Sequence, residues 1–140
     1  MTGTDQNRRF EGGCLCGAVR FRGSGPPMFV SHCQCVTCRK SSGTGHSTDA
    51  GFKTEQLAIA GKLRAYGAKA DSGNTVEISF CPICGTKISA ANDAYPDVLA
   101  MNLAAFDDPG AFTPTTVFFT RSAVPWDLID DALKSHETQP

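Results

Sequence analysis

A chain of 140 residues with 41% hydrophobic content has the size and core capacity of a single domain. Its formal net charge of -1, with no basic tract, leaves nucleic-acid binding without its usual electrostatic driving force. No stretch approaches the ~18 consecutive apolar residues of a membrane span, so neither nucleic acid nor membrane is an expected partner.

Residues 1–9 read as a flexible polar N-terminal tail that carries Arg8 and Arg9 and has no apolar run of the signal-peptide kind. Residues 10–134 read as one domain and 135–140 as a C-terminal tail. A chain with these features is expected in the reducing cytoplasm, where clustered cysteines bind metal more often than they pair. Fourteen glycines and eight prolines point to many turns and short strands, hence a mainly β domain. After Cys14-Leu15-Cys16-Gly17 comes a short alternation over 18–22. The turn Gly23-Ser24-Gly25-Pro26-Pro27 follows, and Met28, Phe29 and Val30 lead to Cys33. A hairpin across that turn would return Cys33 toward Cys14 and Cys16. Residues 41–51, small and polar, read as a flexible loop. Residues 75–80 alternate cleanly, with Val76, Ile78 and Phe80 on one face, and run straight into Cys81-Pro82-Ile83-Cys84-Gly85. Further strands are expected over 98–103 and 115–120. A short closing helix is expected over 126–133, with Pro125 near its start and Trp126 in the core.

The seven cysteines carry the chemistry. They form a C-x-C pair (Cys14, Cys16), a C-x-C-x-x-C triplet (Cys33, Cys35, Cys38) and a C-x-x-C pair (Cys81, Cys84). An odd count cannot pair completely within one chain. Two residues between thiols let a turn bring both sulfurs to one point, and Gly85 tolerates the positive φ such a turn needs. In Cys14-x-Cys16 the two side chains leave an extended chain on the same side, and modest bending brings them onto one ion. The two pairs make a closed four-thiolate zinc site. The triplet makes a second site of three thiolates, so two Zn²⁺ per chain are expected. The triplet's fourth position is left open, filled by His32, His46 or Asp49, or shared with Cys14 or Cys16. If open, three thiolates suit a soft fourth ligand, a thiol or thiolate, better than they suit making hydroxide from water. Arg39 and Lys40 follow directly and are candidates for offsetting the site's negative charge or binding substrate carboxylates. His46 reads as a proton shuttle, a ligand or a surface residue.

Three segments resemble the glutathione-dependent formaldehyde-activating enzyme family, which includes centromere protein V. They are Gly12-Gly13-Cys14-Leu15-Cys16-Gly17-Ala18-Val19-Arg20-Phe21, the run Cys33-x-Cys35-x-x-Cys38-Arg39-Lys40-Ser41-Ser42-Gly43, and Phe80-Cys81-Pro82-Ile83-Cys84-Gly85-Thr86. Order and spacing agree over residues 10 to 88. The resemblance implies packed antiparallel sheets similar to those of the small Rab-binding zinc proteins. It implies a structural zinc on Cys14, Cys16, Cys81 and Cys84 and a catalytic zinc on Cys33, Cys35 and Cys38. It also implies carbon–sulfur lyase chemistry on a glutathione or other thiol adduct, such as S-hydroxymethylglutathione. The chain departs from the family pattern at Gln34, where His is frequent, and at His46, where an aromatic residue is common. The rival expectation is a non-catalytic zinc module that binds a protein or a small thiol.

Overall fold

The computed structural model describes residues 8–70 and 72–139. Most of the expected N-terminal tail, residues 1–7, lies outside the described residues. The chain begins with β1 (Arg9–Gly13) and β2 (Arg20–Ser24), which pair antiparallel, and β5 (Leu57–Ala60) adds to β2 to complete a three-stranded sheet. β3 (Phe29–Cys33), the helix α1 (Val36–Ser42) and β4 (Ser47–Lys53) come next. The strands β6 (Arg64–Lys69), β7 (Thr75–Phe80), β8 (Lys87–Asn92) and β9 (Val98–Asn102) follow, and β10 (Thr116–Phe118) and β11 (Lys134–Ser135) end the chain. These form an eight-stranded sheet in the order β11-β10-β3-β4-β9-β8-β7-β6.

The inner faces of the two sheets meet in an aromatic cluster. Phe10 of β1 stacks on Phe52 of β4 with ring centroids 4.5 Å apart. Phe106 and Phe112, from the connection between β9 and β10, close around Phe10 at 5.2 and 5.8 Å. Val19, Ala50, Ile88 and Met101 have no exposed surface beneath them. Burying each large side chain here contributes roughly 1.5–3 kcal/mol, so the stack joins the two sheets into one core. Among the described residues no helix is long and apolar enough to cross a membrane.

The mainly β expectation holds, and the alternation over 75–80 is β7 with the bounds predicted. Strands lie within the segments predicted over 98–103 and 115–120. The sheets are packed and mainly antiparallel, mixed only where β10 runs parallel to both β3 and β11. Other expectations are corrected. β2 and β3 are not a hairpin: the turn after β2 carries the chain from one sheet to the other. Residues 41–51 are the end of α1 and most of β4, a central strand between β3 and β9. Its small polar composition resembles a loop, yet Ser47, Asp49, Ala50, Gly51 and Phe52 are buried because neighbours on both sides satisfy the backbone.

The closing helix over 126–133 is absent. That segment runs as turns and irregular chain, and Trp126 is 65% exposed, not a core residue. Asp127, Asp130 and Asp131 interrupt any apolar helical stripe, and the side chain buried from this segment is that of Asp127. Pairing continues past residue 134, where β11 lies beside β10 and the His136 N–H donates to the Val117 carbonyl.

Candidate metal centres

The cysteines gather into two groups in which the sulfurs lie within 4.8 Å of one another, Cys14, Cys16, Cys81 and Cys84 in one and Cys33, Cys35 and Cys38 in the other. All seven are free thiols.

Two tight turns build the four-sulfur group. Gly17 N–H donates to the Cys14 carbonyl at 3.1 Å, and Gly85 N–H to the Cys81 carbonyl at 2.9 Å. Each turn closes on a glycine at positive φ, 84° at Gly17 and 79° at Gly85, where a Cβ would be strained. A register shift between Ser79 and Phe80, at the end of β7, precedes the second turn. The remaining capacity of the sulfurs goes to local donors. Val19 N–H reaches Cys14 Sγ at 3.2 Å, Ile83 N–H reaches Cys81 Sγ at 3.4 Å, and the Thr86 hydroxyl meets Cys84 Sγ at 3.2 Å. The Thr86 hydroxyl holds Cys84 down to about 5, well below an ordinary thiol. Leu15 N–H donates to that same hydroxyl at 3.0 Å, which ties the two turns together. Cys14 and Cys81 are buried, while the turn tips Leu15 and Ile83 point to solvent.

The three-sulfur group is assembled differently. Cys33 ends β3, flanked by Ser47 of β4 and Phe118 of β10. Cys35 caps α1, its sulfur accepting from Cys38 N–H at 3.3 Å. Cys38 stands one turn further on. Its neighbours Cys33 and Cys38 hold the Cys35 thiol at about 2, whereas the same contacts push Cys33 up, so one thiolate is favoured in the group even before a cation binds. The geometry fits a soft cation: three convergent thiols at spacings that Zn–S bonds of ~2.3 Å span.

The three residues weighed as a fourth ligand do not join this group among the described residues. Each has another partner. His32 Nδ1 meets the Thr48 hydroxyl at 2.8 Å, and burial lowers its pKa, keeping the ring neutral. Asp49 is buried, accepts from the Ser47 hydroxyl at 2.7 Å, and is pushed up by desolvation; its other oxygen has no partner among the described residues. His46 Nδ1 lies 2.7 Å from Asp127 Oδ1, a carboxylate whose side chain is only 5% exposed. Facing a carboxylate, Nδ1 carries the proton and Nε2 is left as the acceptor. Gln34, itself buried, donates to Asp127 Oδ2 at 3.2 Å, and His32 packs edge-on against His46 at 4.7 Å. Gly45 makes this possible, since a Cβ there would collide with the Asp127 carboxylate.

Arg39 and Lys40 follow Cys38 on α1. Lys40 is exposed, and Arg39 Nε is buried without a hydrogen-bond partner among the described residues. Two residues of this neighbourhood were not singled out from the sequence. Asp127 lies in the segment expected to be a helix, and nothing in its surroundings marks it. Lys87, 7% exposed with Nζ on the Ser41 hydroxyl at 3.2 Å, stands two residues after a recognised glycine with no pattern to show that it points inward.

The sequence model of the glutathione-dependent formaldehyde-activating enzyme family matches residues 9–122. The chain belongs to this family. Over 107 residues it is 31% identical to a Halomonas elongata protein that bears the family's name provisionally. That match covers 69% of this chain and 65% of the relative, so the chain spans just under two thirds of the relative's length. A crystal structure of a Rhodobacter sphaeroides protein shares the fold, with a TM-score of 0.57 at 20% identity over 74% of this chain and 91% of that one.

Proposed function

We propose that this family member is a zinc-dependent carbon–sulfur lyase that makes or breaks the adduct of a small thiol and an aldehyde, with glutathione and formaldehyde as the first pair to test. The carrying observation is the three-sulfur group: no fourth His, Cys, Asp or Glu joins it among the described residues, while a histidine–carboxylate pair lies nearby. Cys14, Cys16, Cys81 and Cys84 would hold a structural zinc, and Cys33, Cys35 and Cys38 a catalytic one. Bound by three thiolates, zinc supplies a soft Lewis acid that favours the thiolate form of an incoming thiol.

The chain's own residues handle the proton. In the forward direction the thiol sulfur forms a bond to the carbonyl carbon, and the carbonyl π pair moves to oxygen. The thiol proton passes to His46 Nε2 and then to that oxygen, giving the hydroxymethyl adduct with no further reactant. Asp127 holds the Nδ1 proton in place and stabilises the imidazolium between these two transfers. The reverse sequence releases aldehyde and thiol. Free thiols at seven positions suit a reducing compartment, which supports a cytoplasmic location.

Exchange NMR of formaldehyde and glutathione with zinc-loaded protein tests the reaction. Faster formation and breakdown of the adduct than in buffer is expected. No acceleration rejects this thiol–aldehyde pair and leaves other thiol adducts or the binding module. Elemental analysis is expected to find two zinc per chain.

A further inference from the structure

A cavity of about 240 Å³ is lined by Ser41, Tyr66, Ile78, Phe80, Gly85 and Lys87. No cysteine lines it, but a residue that follows each cysteine group does. Ser41 stands three residues after Cys38, on the same face of α1, and its hydroxyl donates to the Cys38 carbonyl at 3.3 Å. Gly85 follows Cys84 directly. The walls are mostly apolar, from Ile78, Phe80 and the ring of Tyr66, itself 66% exposed. Against this apolar lining stands one cation. The Lys87 ammonium has three donors, of which the Ser41 hydroxyl takes one at 3.2 Å. No carboxylate lies within ion-pair distance of it among the described residues; the buried Asp49 acts on it only from further away. A nearly buried ammonium beside a cavity and without a contacting anion is costly unless an anion enters.

We infer that this cavity is the carboxylate subsite for the thiol substrate, with Lys87 as its anion-binding residue. The inference rests on the reading above that the triplet receives a thiol such as glutathione, and it adds the residues that select it: the carboxylate end of the peptidic thiol sits between Lys87 and Ser41. The size agrees. About 240 Å³ holds one carboxylate-bearing residue of such a peptide but not a whole tripeptide, which leaves the thiol outside the cavity. It also separates the roles of the cations near the triplet: Lys40 is exposed, whereas Lys87 is held by its neighbours where a charge-assisted hydrogen bond is strong.

The test is a binding cycle on zinc-loaded protein, read by calorimetry. The probe is S-methylglutathione, compared with two analogues in which either the glycine carboxylate or the γ-glutamyl α-carboxylate is amidated. In the wild type one of the two amides is expected to bind about tenfold or more weakly than the free acid, the size of one charge-assisted hydrogen bond. In Lys87→Met, which keeps the buried volume, that preference is expected to fall to near unity; in Lys87→Arg it is expected to persist. A folding defect weakens acid and amides alike and leaves the ratio unchanged. Equal binding of the acid and both amides by the wild type overturns the proposal, as does a preference that survives Lys87→Met. If Lys87→Met does not fold, the wild-type comparison and Lys87→Arg still decide. Because the readout is binding, a Lys87-dependent preference without adduct exchange would reject the lyase reading and keep this one. Exchange without the preference would do the reverse.

Discussion

The two cysteine groups are built by opposite strategies. In the four-sulfur group every ligand comes from a tight turn, and the sulfurs' other partners are backbone N–H groups and the hydroxyl of Thr86. Nothing there is arranged to move a proton. The three-sulfur group ends a strand and caps a helix, and titratable residues from distant segments surround it: His32 from β3, His46 and Asp49 around β4, Asp127 from the last connection. The first group closes on itself and joins β1 and β2 to β7 and β8. The second gathers three sulfurs that no fourth His, Cys, Asp or Glu joins among the described residues. On the proposed reading the complete ligand set would serve architecture and the incomplete one chemistry.

The strongest test of this contrast is Cys81→Ser. A structural zinc contributes about 10–16 kcal/mol in isolated zinc modules, as much as or more than the about 5–15 kcal/mol that holds a whole domain together. The variant is expected to lose its cooperative thermal transition by circular dichroism. A variant that still melts cooperatively would remove the architectural half of the comparison. Cys38→Ser is expected to do the opposite: zinc content falls from two to one per chain, adduct exchange drops by more than about 100-fold, and the melting transition survives. Loss of folding in this variant would make both centres structural.

A smaller effect is expected from Asp127→Asn, which removes the carboxylate that fixes the His46 tautomer. Exchange rate should fall by at most about 100-fold, the low end of what one positioned acid–base group contributes, because the imidazole itself remains, with zinc content unchanged. The smallest effect sharpens the other side. Thr86→Val removes the largest cause of the lowered Cys84 pKa. A depressed thiol pKa keeps the thiolate available as pH falls, so protons displace metal only under more acidic conditions. Without the hydroxyl, Cys84 takes up its proton at higher pH, and zinc loss from this centre in an acid titration is expected to begin at higher pH than in the wild type. An unchanged titration would mean that the sulfur's second partner has no bearing on how the centre holds its ion.

Both ligand groups were legible in the chain because their geometry is local. A C-x-x-C-G turn or a C-x-C-x-x-C run brings its own sulfurs together wherever it sits, and β7 announced itself by alternation. The errors fell where burial and polarity part company. Residues 41–51 look like a loop by composition but are largely a central strand, since a strand paired on both sides can bury serine and aspartate if each finds a partner. Trp126 looks like core and is exposed, while the plain acidic residue beside it is the one buried.

Cysteine identity and spacing alone therefore determined that the thiols of each pair and of the triplet converge, because a few bonds of backbone set where neighbouring sulfurs can point. Only the tertiary structure decided that His46 faces Asp127 across 81 positions of chain and that Lys87 lies beside a cavity near Ser41. Those pairings are made by sheets and connections that meet in space, and a lone polar residue carries no periodicity by which its partner could be read in advance.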